Sequence, residues 1–92
     1  MTQSDDATAV FDLLSDETRA ETVRQLAAAS GGLRFSTLRR RVGARDSGRF
    51  NYHLGRLRGR LVEKRDARYV LTERGRHVAA TLDGIGSETQ RS

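Results

Sequence analysis

Arginine is concentrated in residues 45–62, whose sequence is RDSGRFNYHLGRLRGRLV. A guanidinium group can donate two parallel hydrogen bonds to a phosphate or to the edge of a guanine, and it stays charged at physiological pH. No carboxylate lies between Ser47 and Val62 to neutralise these side chains. The chemistry that this stretch predicts is therefore the binding of a polyanion.

A helix is the element that would hold these arginines on one surface. Phe50, Leu54 and Leu57 are spaced four and three residues apart, which predicts one buried helical face. His53 falls at the edge of that face, where we interpret it as a packing residue. The opposite face projects little beyond the helix backbone where its side chains are replaced by the hydrogen of glycine. Its members are Gly48, Arg49, Tyr52, Gly55 and Arg56.

Charge is segregated along the chain. The formal net charge is +5, but residues 34–76 carry fourteen basic residues against four acidic ones, a local charge of +10. Residues 1–33 have a charge of −4 and residues 77–92 a charge of −1. Sixteen of the seventeen basic residues are arginine, which suits bidentate phosphate contacts, although a GC-rich genome produces the same bias.

Length and composition exclude several classes of protein. The 92 residues predict a single domain, 1–92, with an ordered core at about 6–85 and too little material for a large enzyme cleft. The absence of cysteine excludes disulfides and thiolate metal sites. His53 and His77 have no recognisable catalytic or metal-binding partners, and there is no phosphate loop. We therefore expect no enzymatic activity, no cofactor and no metal.

Membrane and export signals are also missing from the sequence. No run approaches the ~18 apolar residues of a membrane span. The N-terminal MTQSDDA lacks the basic and apolar regions of a signal peptide. We predict a cytoplasmic protein.

Apolar periodicity and capping residues predict five helices. Their approximate ranges are 6–14, 17–30, 37–42, 46–59 and 73–83. The expected N-caps are Ser15 or Asp16, Ser36, Asp46 or Ser47, and Thr72. Gly84, Gly86 and the polar remainder are expected to end the last helix.

Between residues 61 and 71 the apolar period changes to two, which predicts a β-hairpin with a very short loop at Asp66-Ala67. The loop lacks the favoured Asn-Gly pair, so the register stays open by one residue. The fold class predicted is α+β, mainly α: a winged helix-turn-helix of about five helices with a two- or three-stranded β-wing.

Four runs of the chain together carry a family pattern. They are FDLLSDETRAETVRQLA, LRFSTLRRRVG, DSGRFNYHLGRL and RYVLTERGR. The pattern resembles haloarchaeal winged-helix regulators of the ArsR-like superfamily, over about residues 8–83. Its most specific parts are YHL..L from Tyr52 to Leu57 and LT..G from Leu71 to Gly75.

The resemblance implies a mode of DNA binding. Residues 46–59 would enter the major groove, the hairpin at 61–71 would form a wing beside the minor groove, and the first and last helices would build a symmetric dimer. Metal-sensing ArsR members use cysteine or histidine clusters, which this chain lacks, so metal sensing is not implied.

The candidate site residues fall into three sets. Base edges would be read by Arg49, Asn51, Tyr52 and Arg56. The phosphate backbone would be contacted by Arg39, Arg40, Arg41, Arg45, Ser47, Lys64, Arg65 and Arg68. A homodimer interface would be formed by Val10, Phe11, Leu14, Val78, Leu82 and Ile85, because these residues exceed what one layer of a small fold can cover.

We therefore predict a sequence-specific, double-stranded DNA-binding transcription regulator that acts as a homodimer. Two other functions remain open. A pI of ≈ 10.9 also fits a non-specific architectural chromatin or RNA-binding protein. A winged helix can instead present its basic face to an acidic protein. The simplest alternative for Lys64, Arg65 and Arg68 is that their charges only protect a strand edge from pairing.

Overall fold

A computed structural model describes the backbone of residues 2–91 and the side chains of residues 8–82. It contains five helices and one two-stranded antiparallel sheet within these residues. The elements are α1 (Thr2–Leu14), α2 (Glu17–Ala28), α3 (Phe35–Val42), α4 (Ser47–Leu57), β1 (Val62–Arg65), β2 (Arg68–Leu71) and α5 (Glu73–Arg91). The predicted α+β class, with mainly helical content and a winged-helix arrangement, is confirmed.

Three helices begin at predicted capping residues. The Oδ1 atom of Asp16 accepts a hydrogen bond from the Arg19 amide at 3.1 Å, and that of Asp46 accepts one from the Arg49 amide at 3.0 Å. The Thr72 hydroxyl oxygen accepts one from the Gly75 amide at 2.9 Å. Each bond satisfies an amide that has no partner inside its own helix.

The predicted cap at Ser36 is wrong. Helix α3 begins at Phe35, two residues before the predicted start at residue 37, and its N-cap is Arg34, which makes no side-chain capping bond. Phe35 is drawn into the helix because its ring packs against Phe50 and Tyr69, with centroids 5.4 and 6.5 Å apart. Aromatic packing therefore determines this boundary where a capping hydrogen bond was expected.

The hairpin has the predicted two-residue loop, and its register pairs Arg65 with Arg68. Asp66 and Ala67 both have positive φ angles, 50° and 67°, as the central residues of a type I′ turn must. Leu33 adds a third, minimal strand: its amide donates to the Tyr69 carbonyl at 3.0 Å, and the Tyr69 amide donates back at 2.7 Å. The wing is thereby tied to the segment before α3.

The core is built around α2, which packs against α1, α3, α4, α5 and β2. Helix α4 contributes Phe50, Leu54 and Leu57, which are all fully buried, so the predicted apolar face is confirmed. Other core members include Leu13, Val23, Leu26, Leu38, Leu61, Val62, Tyr69 and Leu71. This packing leaves the glycine-containing face of α4 exposed.

Other predicted helix boundaries also differ from the structure. Helix α1 begins at Thr2, four residues before the predicted start, and α2 ends at Ala28, two residues before the predicted end. Helix α4 ends at Leu57, two residues early, and Gly59 follows with a φ of 84°. Helix α5 continues to Arg91, beyond the predicted end near residue 83. Glycine weakens a helix interior but keeps its amide donor, so Gly84 and Gly86 do not interrupt α5 as proline would. No helix among residues 2–91 is long and apolar enough to cross a bilayer.

A glycine in α5 supports a prediction about stability. A Cβ atom added at Gly75 would overlap the Leu61 carbonyl oxygen and would lie 3.2 Å from Leu71 Cδ2. We expect Gly75→Ala to lower the free energy of unfolding by about 1 to 3 kcal/mol, as overpacking does. Gly55→Ala is the matched control, because a Cβ atom there meets open space and alanine favours a helix by about 0.5 to 1 kcal/mol. Urea unfolding followed by circular dichroism measures both, and equal changes would contradict the packing argument.

Candidate nucleic-acid interface

The exposed face of α4 is shaped by small residues around one aromatic ring. Gly48 and Gly55 lie one turn on either side of Tyr52, and all three are exposed, Tyr52 with 58% of its surface accessible. Asn51 is exposed beside them. A surface of this kind allows a flat or grooved partner to approach the helix backbone closely, with a phenol and an amide available for hydrogen bonds.

Four arginines lie on the segment that runs from the last turn of α3 to the first turn of α4. Arg40 and Arg41 lie in the last turn of α3, Arg45 lies in the connecting turn, and Arg49 lies in the first turn of α4. All four are exposed, and within residues 8–82 their side chains form no hydrogen bond or ion pair. Arg49 lies in the first turn of α4, where the positive end of the helix dipole also favours an anion. We call these residues the free arginine cluster.

Arg39 differs from its neighbours in α3. Its Nη1 atom donates hydrogen bonds to the carbonyls of Ala44 at 3.2 Å and Arg45 at 2.9 Å. These bonds hold the turn between α3 and α4, after Gly43 has ended α3 with a φ of 85°. A phosphate contact by Arg39 therefore competes with two internal hydrogen bonds.

Arg56, a predicted base-reading residue, also has an internal partner. Its Nη2 atom lies 3.5 Å from Asp12 Oδ2 of α1, and both side chains are partly exposed. Exposed ion pairs contribute only about 0 to 1 kcal/mol, so a strong external acceptor can displace Asp12. Arg56 can therefore contact an external partner only after its ion pair with Asp12 of α1 has broken.

The wing presents three basic side chains, and each has a contact within the protein. Lys64 Nζ lies 5.6 Å from the centre of the Tyr69 ring, and Arg65 Nη2 lies 3.3 Å from Glu63 Oε2. Arg68 Nη1 donates to the Gly32 carbonyl at 3.4 Å. All three side chains remain exposed, so their charge still contributes to the field around the hairpin tip.

A hydrogen-bonded group behind α4 joins Arg19, His53 and Asp16. His53 is buried, with 5% of its surface accessible, and its Nδ1 atom lies 3.0 Å from Arg19 Nη1. Its Nε2 atom lies 3.9 Å from Asp16 Oδ1. Burial lowers the pKa of His53 below its ordinary value, and the charges of Arg19 and Arg49 lower it further, while Asp16 opposes them. The interpretation of His53 as a packing residue is incomplete, because its ring is also a hydrogen-bond acceptor.

The predicted dimer residues lie on α1 and α5 and differ in exposure. Phe11 is 79% exposed, which is unusual for a large apolar side chain. The others with described side chains are half-buried, and they are Val10, Leu14, Val78 and Leu82. The side chain of Ile85 lies outside the described residues.

No group of three or more histidine, aspartate or glutamate residues with metal-binding geometry occurs in the part of the chain whose side chains are described. The exposed side chains of α4 and the basic side chains of the wing are hydrogen-bond donors and cations, which suits the binding of an anion.

Comparison with known proteins identifies a family for this chain. A family model described as a domain of unknown function, DUF7347, matches residues 7–82. The chain belongs to the DUF7347 family. Searches of curated proteins and of solved structures found no significant match.

The DUF7347 match includes α2, α3, α4, the wing and the first half of α5. Every predicted site residue except Ile85 lies within it. The basic surface is therefore part of the family domain.

Sequence reasoning missed Arg19 as a site residue. Its guanidinium bonds to Leu13 and His53, and neither partner is close to it on the same helix. The one available signal was the isolation of Arg19, one of only two basic residues among residues 1–33. A basic side chain in an acidic segment next to a buried histidine is a candidate for an internal contact.

Arg39, which has internal hydrogen bonds, and Arg40, which has none among the described side chains, should differ in their effect on stability. We expect Arg39→Ala to lower the free energy of unfolding by about 1 to 2 kcal/mol, because the two carbonyl bonds that hold the α3–α4 turn are lost. Arg40→Ala is the matched control, one residue away and without an internal bond, and should change stability by less than about 0.5 kcal/mol. Urea unfolding of both variants measures this, and equal stabilities would refute the bracing role of Arg39.

Proposed function

We propose that this protein is a sequence-specific, double-stranded DNA-binding transcription regulator that acts as a homodimer, with α4 in the major groove. The observation that carries the proposal is the free arginine cluster. Four exposed guanidinium groups without internal partners lie on the segment that runs from the last turn of α3 to the first turn of α4. A duplex supplies anionic oxygens at the spacing that such a cluster can engage.

The surface of α4 suits a groove better than a flat acidic protein. The major groove of B-DNA is about 12 Å wide and admits a single α-helix. Gly48 and Gly55 keep the helix narrow, so its backbone can approach the floor of the groove. Tyr52 and Asn51 then lie within reach of base edges.

The site residues divide by partner under this proposal. Phosphates would be contacted by the α3 arginines, by Arg45 and Ser47 at the start of α4, and by Lys64, Arg65 and Arg68 of the wing. These contacts position the protein without reading sequence. Base edges would be read by Arg49, Asn51 and Tyr52, with Arg56 joining them when it leaves Asp12.

A second copy of the chain is the proposed partner for the apolar surface of α1 and α5. Leaving the Phe11 ring in water is unfavourable, and burial of a phenylalanine side chain contributes about 1.5 to 3 kcal/mol. Val10 and Leu14 on the same helix, and Val78 and Leu82 on α5, are half-buried and would lose further exposed apolar area in such a dimer. A two-fold dimer then binds a palindromic site with half-sites about one helical turn apart. The cytoplasmic location that the sequence predicts is part of the same proposal.

Selection of bound sites from random duplex DNA tests the proposal, together with a salt titration on the selected site. We expect a palindromic motif and, for about four phosphates neutralised per subunit, a slope of log K against log salt near −7 for the dimer. Salt-dependent binding that enriches no motif would favour a non-specific architectural protein. Failure to shift any duplex at low salt would contradict DNA binding altogether and favour an acidic protein partner.

The separation of base and phosphate contacts predicts different effects for two variants. Arg49→Ala should weaken the selected site by about 1 to 3 kcal/mol and relax the motif, because a base contact is lost. Lys64→Ala should weaken selected and random duplexes alike and reduce the salt slope by about 1 per subunit. Fluorescence anisotropy with matched specific and random duplexes measures both. Equal discrimination by the two variants would show that the assignment of roles is wrong.

A further inference from the structure

One guanidinium group links three helices behind the DNA-facing side of α4. Arg19 of α2 donates from Nε to the Leu13 carbonyl at 2.7 Å and from Nη2 to the Asp12 carbonyl at 3.4 Å, both at the C-terminal end of α1. Its Nη1 atom lies 3.0 Å from Nδ1 of His53 on α4. Arg19 therefore spans from the last turn of α1 to the inner face of α4.

The chemistry of this contact fixes the proton on the His53 ring. An arginine side chain only donates hydrogen bonds and keeps its charge in proteins. The Nδ1 atom of His53 must therefore supply a lone pair, so the ring is neutral and its proton is on Nε2. That nitrogen faces Asp16 Oδ1 at 3.9 Å, beyond hydrogen-bond distance, and the same oxygen already accepts the Arg19 amide.

We infer that Arg19 is a positioning residue for α4 and that it holds the helix only while His53 is neutral, so that acid weakens DNA binding. The consequence for DNA rests on the proposed function. A proton on Nδ1 would remove the lone pair that Arg19 uses and would place two cations against each other. The link then breaks, and α4 loses the hydrogen bond that joins its inner face to α1 and α2, while its buried apolar residues still fix its rotation.

Burial is the main cause that opposes protonation of His53, while the charges around it act in both directions: Asp16 favours protonation, and Arg19 and Arg49 oppose it. From α2 and its cap, Arg19 and Asp16 face the ring, and from α4 itself Arg49 adds a second positive charge. From α1, the Asp12 carboxylate is paired with Arg56 and its carbonyl with Arg19. Burial removes the water that would otherwise solvate an imidazolium.

His53 is well placed to transmit this change to the DNA-facing residues. Its ring packs edge-on against Tyr52, with centroids 5.4 Å apart, and Arg49 lies one turn away on the same helix. A simple charge effect has the opposite sign, because an added proton makes the surface more basic and strengthens phosphate binding. The direction of the pH dependence therefore separates repositioning from added charge.

The effect on stability has a defined direction. Since the pKa of His53 is lowered in the folded protein, the unfolded chain binds the proton more tightly. The stabilising contribution of the neutral ring is complete at pH values above the ordinary pKa of 6.5. It is lost as the pH falls from there toward the lower pKa of the folded protein. The protein is thus expected to melt at a lower temperature in mild acid.

His53→Asn tests the link, because the asparagine Oδ1 atom occupies the position of Nδ1 and cannot be protonated in this range. His77→Asn is the matched control, since His77 is the second histidine of the chain and is exposed on α5. We measure affinity for the selected duplex by anisotropy between pH 7.5 and pH 5 at constant salt. The wild-type protein and His77→Asn should lose about tenfold, the size of one hydrogen bond to a charged group, and His53→Asn should change less than about twofold.

Two measurements without DNA separate this inference from the proposed function. Nitrogen NMR of the wild-type ring should show an unprotonated Nδ1 and a protonated Nε2 at pH 7.5. The melting temperature should fall with acidification in the wild-type protein and in His77→Asn, and it should fall less in His53→Asn. A chain that binds no duplex but meets both expectations refutes the function and supports the Arg19–His53 link. A proton on Nδ1 at pH 7.5, or affinity that rises as His53 titrates, overturns the inference.

Discussion

Burial of one face of α4 is the constraint on which the candidate site depends. Phe50, Leu54 and Leu57 are fully removed from water against the core. Each contributes about 1.5 to 3 kcal/mol, so any rotation of the helix that exposed them would cost much of the stability of a small domain. The rotation of α4 is therefore fixed, and with it the outward position of Gly48, Tyr52 and Gly55. The exposed chemistry follows from the buried packing.

Packing fixes the rotation of α4, and hydrogen bonds from arginines hold the turn before it and join it to α1 and α2. Arg39 holds the turn that leads into the helix, and Arg19 joins its inner face to α1 and α2. Both are cations in a region that must also present cations outward. The structure thus separates arginines that brace the scaffold from those of the free arginine cluster. Composition alone does not distinguish them, because both kinds are the same residue.

Local patterns predicted the elements, whereas tertiary contacts determined the details that differ. The caps at Asp16, Asp46 and Thr72 depend on atoms three residues apart, so the sequence was enough. The start of α3 depends on where the Phe35 ring packs, which a capping rule does not include. The Arg19–His53 contact joins residues 34 apart, and the spacing of apolar residues carries no signal for it. The alternation of the hairpin predicted its loop, but only pairing with Leu33 ties the wing to the rest.

In the proposed complex with DNA, the ion pair between Arg56 and Asp12 must break before Arg56 can contact a base. Breaking an exposed pair costs about 0 to 1 kcal/mol, and a bidentate contact with guanine contributes about 1 to 3 kcal/mol. The exchange is favourable when a guanine stands opposite Arg56 and close to neutral when another base does. A guanidinium without a partner, such as that of Arg49, faces no such competition. In the proposed complex, the acidic N-terminal segment would lower overall attraction to DNA and, through Asp12, would contribute to discrimination between bases at the position of Arg56.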